Sequence, residues 1–168
     1  HRRPGKLVVL VAIIIVLDIA LGVMIYRLLA DARRNEDQGP LRFDVSVDDD
    51  PALGPADAPI VMIEFSDFQC PHCKMAAPML KKVVEESNGK VKLVFKQYPL
   101  PGHPKAREAS KATIAAQKQG KFWEMHDLLF KNQDKLPTAN FADYAKKIGL
   151  DVKRFEADMA SKETEKKI

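Results

Sequence analysis

The sequence predicts an α/β fold, in which a βαβ unit is followed by a helical region and preceded by a transmembrane helix. Three observations support this prediction. Leu7–Tyr26 is almost wholly apolar over twenty residues. Two short runs rich in β-branched and aromatic residues, Ile60–Phe65 and Val91–Phe95, are typical of buried strands. Apolar residues recur at helical spacing between these runs and again from Lys105 onward.

The first apolar stretch has the length of a membrane span. Twenty helical residues cover about 30 Å, the thickness of the bilayer's hydrocarbon core. We therefore predict a membrane anchor over residues 1–30. A cleaved signal peptide stays an alternative, because Ala30–Ala32 resembles a cleavage site. Asp18, inside the span, either contacts a membrane partner or is a protonated residue tolerated by its apolar neighbours.

Residues 31–54 are polar and turn-rich, and they predict a linker between the anchor and a folded domain over residues 55–168. Within the linker, the alternating segment Phe43–Val47 predicts a short edge strand. Asn88-Gly89 predicts the turn between the helix of the βαβ unit and its second strand.

The sequence after the second strand predicts several helices. Small residues form one helical face that ends at Gly120, and the next apolar stripe includes Trp123 and His126, which we expect to be packing residues. Thr138 and Asp151 are predicted to cap two later helices.

The two cysteines, Cys70 and Cys73, lie where the first strand ends and a helix begins. The first turn of a helix has unpaired N–H groups and the positive end of the dipole, which favour an anion. Pro71 suits the first helical position, and a protonated His72 adds positive charge nearby. Such surroundings favour a thiolate and a more oxidising disulfide. We expect Cys70 to exchange with partner thiols and Cys73 to resolve the mixed disulfide.

Three other uses of the cysteine pair fit less well. A structural disulfide would close so short a loop that it removes little chain entropy. A zinc site needs further ligands, but His1, His103 and His126 are scattered without ligand spacing. Covalent haem attachment needs a histidine where Lys74 stands. We therefore expect a redox pair that uses no metal and no cofactor.

The residues around the pair resemble a known family. Cys70-Pro71-His72-Cys73 is the tetrapeptide typical of DsbA-type thiol–disulfide oxidoreductases, and Lys74–Leu80 resembles the thioredoxin active-site helix. The lead-in Glu64–Gln69 and the later Phe122–Phe130 look like the membrane-anchored, DsbA-like branch. The resemblance implies a thioredoxin-like fold with a helical insertion over residues 55–168.

Glu64 lies in the first predicted strand, where a carboxylate is costly without a partner. In DsbA-like proteins an acid at this position lies beneath the disulfide, so the resemblance implies that Glu64 accepts a proton from Cys73. The alternative is that Glu64 points outward from an edge strand. Lys96 either pairs with Glu64 or is an exposed lysine. His103 either approaches the active site or is an ordinary loop histidine.

The formal net charge of +4 does not indicate a nucleic-acid partner. Residues 1–34 hold six basic residues and two aspartates, so they carry the whole excess. The basic residues divide equally between the two sides of the span, three on each, and do not set its orientation. An oxidising disulfide belongs outside the reducing cytosol, so we place the domain on the extracytoplasmic side.

The leading hypothesis is a single-pass, extracytoplasmic thiol–disulfide oxidoreductase, with an oxidase favoured over a reductase because of His72. The resemblance implies two kinds of partner: thiol-containing secreted proteins, and a membrane redox partner that reoxidises or reduces the pair. The alternative is a non-catalytic, membrane-tethered thioredoxin-like binding module or metal carrier.

A thioredoxin-like domain continues into a β-hairpin, whose loop carries a cis-proline, and a final helix. The lysine- and glutamate-rich residues Ser161–Ile168 do not encode such a hairpin. Two predicted strands are too few for a stable sheet. We therefore expect either that this sequence is a fragment of a longer chain, as its first residue His1 also suggests, or that another element completes the sheet.

Overall fold

The computed structural model describes residues 5–36, 44–47 and 49–168. The chain divides into two compact units, His1–Ser46 and Val47–Ile168. In the first unit, helix α1 covers Gly5–Glu36. Its segment Val8–Asp31 is long and apolar enough to cross a membrane, by length and composition alone. The helix continues past the predicted anchor, so the first residues of the predicted linker are helical.

The second unit begins with the predicted βαβ arrangement. Its elements, in chain order, are strand β1 (Ala52–Leu53), strand β2 (Ile60–Ser66), helix α2 (Pro71–Glu86), strand β3 (Val91–Gln97), helix α3 (Ala106–Gln117), helix α4 (Phe122–Lys131), a short 3₁₀ helix (Gln133–Thr138), helix α5 (Phe141–Lys147), helix α6 (Val152–Met159) and helix α7 (Lys162–Lys166). The turn between α2 and β3 uses Asn88 and Gly89, both with positive φ, as the sequence predicted.

Within the described residues, the sheet has the strand order β1-β3-β2. Strands β2 and β3 are parallel and in register from Ile60 opposite Val91 to Ser66 opposite Gln97. The short strand β1 adds an antiparallel edge to β3. The predicted edge strand at Phe43–Val47 is therefore wrong over residues 44–47, which form no strand; Phe43 lies outside the described residues.

Helix capping agrees with the sequence at one predicted position and differs at the other. Asp151 caps α6 by accepting a hydrogen bond from the Arg154 N–H at 3.0 Å, as predicted. Helix α5 is capped by Asn140, which accepts from the Ala142 N–H at 3.1 Å. The prediction for Thr138 is wrong, because this residue belongs to the preceding 3₁₀ helix.

The core lies between the sheet and the helical region. Its centre is a set of aromatic rings from the active-site loop, β3 and α4, with centroids of Phe68 and Phe95 5.5 Å apart and those of Phe68 and Phe130 4.9 Å apart. The small-residue face of α3 is fully buried against this set. The close approach of α3 requires small side chains, which explains the alanine pattern in the sequence.

Gly54 connects β1 to β2 in a conformation that other residues rarely adopt. Its φ is +94°, and a Cβ atom there would lie 2.4 Å from the Val91 carbonyl oxygen. We expect Gly54→Ala to lower the free energy of unfolding by about 1–3 kcal/mol, measured by urea denaturation. Gly102→Ala is the control, since a Cβ there meets nothing within 4 Å. An equal loss in both variants would contradict this account.

Candidate active site

Cys70 lies at the carboxyl end of β2 and is the N-cap of α2, with φ −74° and ψ 120°. Pro71 occupies the first turn of the helix, where its missing N–H removes no helical hydrogen bond. Pro71 and His72 are exposed, whereas Cys70 is partly exposed. The predicted position at a strand-to-helix junction is therefore confirmed, and the Cys70 sulfur lies at the positive end of the helix dipole.

Cys73 lies one turn further along α2, where it is partly buried and packs against the aromatic core. Burial raises the pKa of the Cys73 thiol; the Asp67 backbone N–H and the Ser66 hydroxyl oppose this effect, while Cys70 adds to it. The inner thiol therefore holds its proton more firmly than a free cysteine does. The two sulfurs have different surroundings, as a nucleophile and a resolving group require.

Asp67 fixes the loop that leads to Cys70. Its side chain is 2 % exposed. One carboxylate oxygen accepts from the Gln69 N–H at 2.6 Å, and the other accepts from the Leu100 N–H at 2.7 Å. This second oxygen also lies 2.8 Å from His103 Nδ1. His103 therefore approaches the active-site loop through Asp67, a residue that sequence analysis missed although a carboxylate directly after a buried strand was a usable signal.

Gln133 holds the same loop from the helical region. Its Nε2 donates to the carbonyl oxygens of Phe68 and Cys70, each at 2.9 Å. These two bonds satisfy backbone acceptors at and before Cys70 and fix the position of this residue against the 3₁₀ helix. No local pattern in the sequence indicates this contact, because it joins residues more than sixty positions apart.

Glu64 is buried, 9 % exposed, so the alternative of an outward-pointing side chain is wrong. Neither carboxylate oxygen has a hydrogen-bond partner of ordinary geometry among the described residues. Burial raises the pKa of Glu64, and the nearby Ser66, His126 and Lys81 offset part of this rise. Ser66 thus lies close enough to affect the pKa of both Glu64 and Cys73, although its own hydroxyl oxygen has no hydrogen-bond partner among the described residues. Lys96 does not pair with Glu64; its Nζ lies 2.5 Å from Asp50 Oδ2.

A family model described as Thioredoxin matches residues 46–168. The chain belongs to the thioredoxin family. Two curated relatives are Na(+)/H(+) antiporter NhaA 3 of Salinispora tropica, 39% identical over 123 residues, and Na(+)/H(+) antiporter NhaA 1 of Mycolicibacterium gilvum, 34% identical over 146 residues. These matches cover 73% and 86% of this chain but 19% and 24% of the relatives. The chain thus spans about a fifth to a quarter of their length.

Solved structures give the same fold. BdbD from Bacillus subtilis has a TM-score of 0.62 and 25% identity, covering 73% of this chain and 71% of that one. DsbA2 from Pseudomonas aeruginosa has a TM-score of 0.58 and 30% identity, covering 70% and 66%. A thioredoxin-like oxidoreductase from Silicibacter pomeroyi has 0.59 and 26%, covering 71% and 68%. The thioredoxin-like fold with its helical insertion, and the resemblance to DsbA-like proteins, are confirmed.

The raised pKa of Glu64 makes the stability of the thioredoxin unit depend on pH. Between the unfolded pKa and the raised folded pKa, the native state binds more protons than the unfolded state, so stability falls as pH rises. Glu64→Gln removes this loss. We expect the variant to gain stability over the wild type as the pH rises above 4.5, the ordinary glutamate value, and to lose that advantage in more acidic solution.

Urea denaturation at a series of pH values measures this difference. Glu85→Gln, which alters an exposed glutamate on α2, is the matched control and should follow the wild type at every pH. A Glu64→Gln variant whose stability runs parallel to that of the wild type across the range would contradict the burial argument.

Proposed function

We propose that the protein is a membrane-anchored, extracytoplasmic thiol–disulfide oxidoreductase that acts through Cys70-Pro71-His72-Cys73. The observation that carries the proposal is the asymmetry of the pair. Cys70 is partly exposed at the N-terminus of α2, whereas Cys73 lies one turn inward against the core. Membership of the thioredoxin family and the likeness to a thioredoxin-like oxidoreductase support the reaction class.

In the oxidising direction, a substrate thiolate attacks the Cys70 sulfur of the Cys70–Cys73 disulfide. The bond between the two cysteines breaks, and Cys73 leaves as a thiolate that takes a proton. A second substrate thiolate then attacks the substrate sulfur of the mixed disulfide and releases Cys70 as a thiolate. The substrate gains a disulfide and loses two electrons, which the cysteine pair receives.

Each neighbouring residue has a role in this cycle. The N–H groups of the first helical turn, and His72 when protonated, stabilise the Cys70 thiolate as a leaving group. Pro71 starts the helix at the required residue. Glu64, through the adjacent Ser66, supplies the proton that Cys73 takes and accepts it again when the disulfide reforms.

The proposed direction of electron flow rests on the stabilisation of the Cys70 thiolate. A stabilised thiolate favours the reduced pair, which makes the disulfide a stronger oxidant. We therefore infer an oxidase that accepts electrons from the thiols of secreted proteins, with a membrane redox partner that removes them. Helix α1 would hold the domain at the extracytoplasmic face of the membrane, where disulfides persist.

Trapping experiments test the roles of the two sulfurs in the full chain, solubilised in detergent. We expect Cys73→Ser to retain a mixed disulfide with glutathione at Cys70, because no inner thiol resolves it. Cys70→Ser is the matched control and should form much less of the adduct. Mass spectrometry of acid-quenched samples measures both. Equal trapping in the two variants would contradict the roles assigned to Cys70 and Cys73.

The rate of alkylation and the reduction potential test the activation of Cys70 and the direction of electron flow. Cys70 should react with iodoacetamide faster than glutathione does at neutral pH, because the N-terminus of α2 favours a thiolate. Glutathione equilibration should give a potential near the oxidising end of the family, about −120 mV, whereas about −270 mV would indicate a reductase. If Cys70 reacts only as a free thiol does, the proposed activity fails and the alternative, a tethered binding module or metal carrier, is favoured.

A further inference from the structure

His126 is a buried histidine that the proposed reaction does not use. It lies on α4, 1 % exposed, and its ring contacts the following aromatic rings: Phe68, Phe95, Phe122, Trp123 and Phe130. Its Nδ1 lies 2.8 Å from Asp127 Oδ1. Its Nε2 is buried and has no hydrogen-bond partner among the described residues. A carboxylate at Nδ1 favours a proton there, which leaves Nε2 as the atom that gains and loses a proton.

Packing alone does not explain a histidine at this position. An apolar residue of similar size would fill the space among these rings without leaving a buried nitrogen unpaired, and unpaired buried polar atoms cost free energy. Natural structures keep few such atoms, and each one calls for an explanation. One group whose pKa His126 affects is Glu64, and its two carboxylate oxygens are also unpaired among the described residues.

Glu64 and His126 belong to one set of interacting groups. Glu64 lies opposite Phe95 in the β2–β3 register, and the centroid of the Phe95 ring lies 5.4 Å from that of His126. The positive charge of His126 acts to lower the pKa of Glu64. Ser66 affects the pKa of both Glu64 and Cys73, so these three groups lie close together. Groups that can carry a proton are therefore found from the inner cysteine to Glu64, and Glu64 is in turn near His126.

His126 also lines a solvent-accessible cavity. The cavity lies between α2 and α4 and measures about 280 Å³; His126 lines it together with Lys74, Ala77, Pro78, Lys81, Asp127 and Phe130. Asp127 is 58 % exposed and makes an ion pair with Lys81. His126 thus lines a place where water has access and also lies close enough to the buried Glu64 to affect its pKa.

We propose that His126, oriented by Asp127, carries protons between the buried Glu64 and water in the α2–α4 cavity. The proposal rests on the proposed function and assigns His126 as a positioning residue that acts through Glu64. When Cys73 leaves the disulfide and takes the Glu64 proton, His126 passes a proton to Glu64 and takes one from water in the cavity that it lines. When the disulfide reforms, the Cys73 proton follows the reverse route.

The charged groups around His126 are consistent with this role. Glu64 of β2 and Asp127 of its own helix interact with it, Lys74 and Lys81 of α2 line the same cavity, and its ring neighbours are uncharged. Burial acts to raise the pKa of Asp127, but the hydrogen bonds from His126 and Lys81 outweigh it and lower that pKa overall. Asp127 therefore stays a carboxylate at neutral pH and can accept the hydrogen bond of the imidazole Nδ1–H.

The first test is chemical rescue in the full chain. A mixed disulfide between glutathione and Cys70 is prepared, and its resolution by Cys73 is followed by stopped flow across a pH series. We expect His126→Ala to slow resolution by about tenfold or more and to change the pH profile. Imidazole should restore the rate through the cavity, whereas pyrrole, of the same size but without a proton-accepting nitrogen, should not. Equal rescue by the two compounds would show a packing role and overturn the proposal.

Asp127→Asn is the second variant, in case His126→Ala fails to fold. Asp127 is exposed, so the substitution leaves the aromatic core unchanged and alters the carboxylate beside His126 Nδ1. We expect slower resolution and an altered pH profile, with only a small fall in the urea unfolding midpoint from the lost ion pair with Lys81. A wild-type profile would overturn the proposal. Failure of the proposed function looks different, since the wild-type chain would then neither form nor resolve the Cys70 adduct.

A second readout needs no disulfide exchange. The infrared carbonyl band of protonated Glu64, identified by its loss in Glu64→Gln, reports the pH at which this carboxyl ionises. We expect the band to persist to higher pH in His126→Ala, because a positive charge is removed. Phe122→Leu is the matched control, since it alters packing on the same ring without a charge. An unchanged band in His126→Ala would contradict the coupling between the two residues.

Discussion

The parallel pairing of β2 with β3 is the constraint on which the site depends. The register that places Glu64 opposite Phe95 and Ser66 opposite Gln97 turns both polar side chains towards the core. The ladder continues past the strands, because the Tyr98 N–H donates to the Ser66 carbonyl oxygen at 2.9 Å. A slip of one residue would turn the side chains of β2 to the opposite face and remove both groups from the core.

The same register places costly groups in an apolar environment. The buried Glu64 and His126 each keep unpaired polar atoms beside stacked aromatic rings, where a hydrophobic core would be more stable. Local violations of packing rules of this kind concentrate at functional sites. The raised pKa values of Glu64 and Cys73 share this cause, since burial is the largest contribution to both. Burial of these groups thus costs stability in the core and, at the same time, raises the proton affinity of Glu64 and Cys73.

The parts of the fold that local physics determines were predictable from the sequence. A β-branched run followed by Cys70 and Pro71 indicated the strand-to-helix junction, and Asn88-Gly89 indicated the turn. Non-local contacts were not predictable. The pairing of Ala52–Leu53 with β3, and the contact between Gln133 and the Cys70 carbonyl, join segments that are distant in sequence. The alternating pattern at Phe43–Val47 misled, because alternation indicates a strand only where a partner strand is available.

The helical region covers the sheet and also contributes residues to the candidate site. Gln133 holds the carbonyl of Cys70, and His126 reaches the neighbourhood of Glu64 from α4. The surroundings of both sulfurs are therefore set partly by residues that follow β3, outside the cysteine tetrapeptide. Two domains with an identical tetrapeptide can then differ in proton transfer if these helical positions differ. Because position and charge are supplied by separate residues, Gln133 at the Cys70 carbonyl and His126 near Glu64, each property can change without the other.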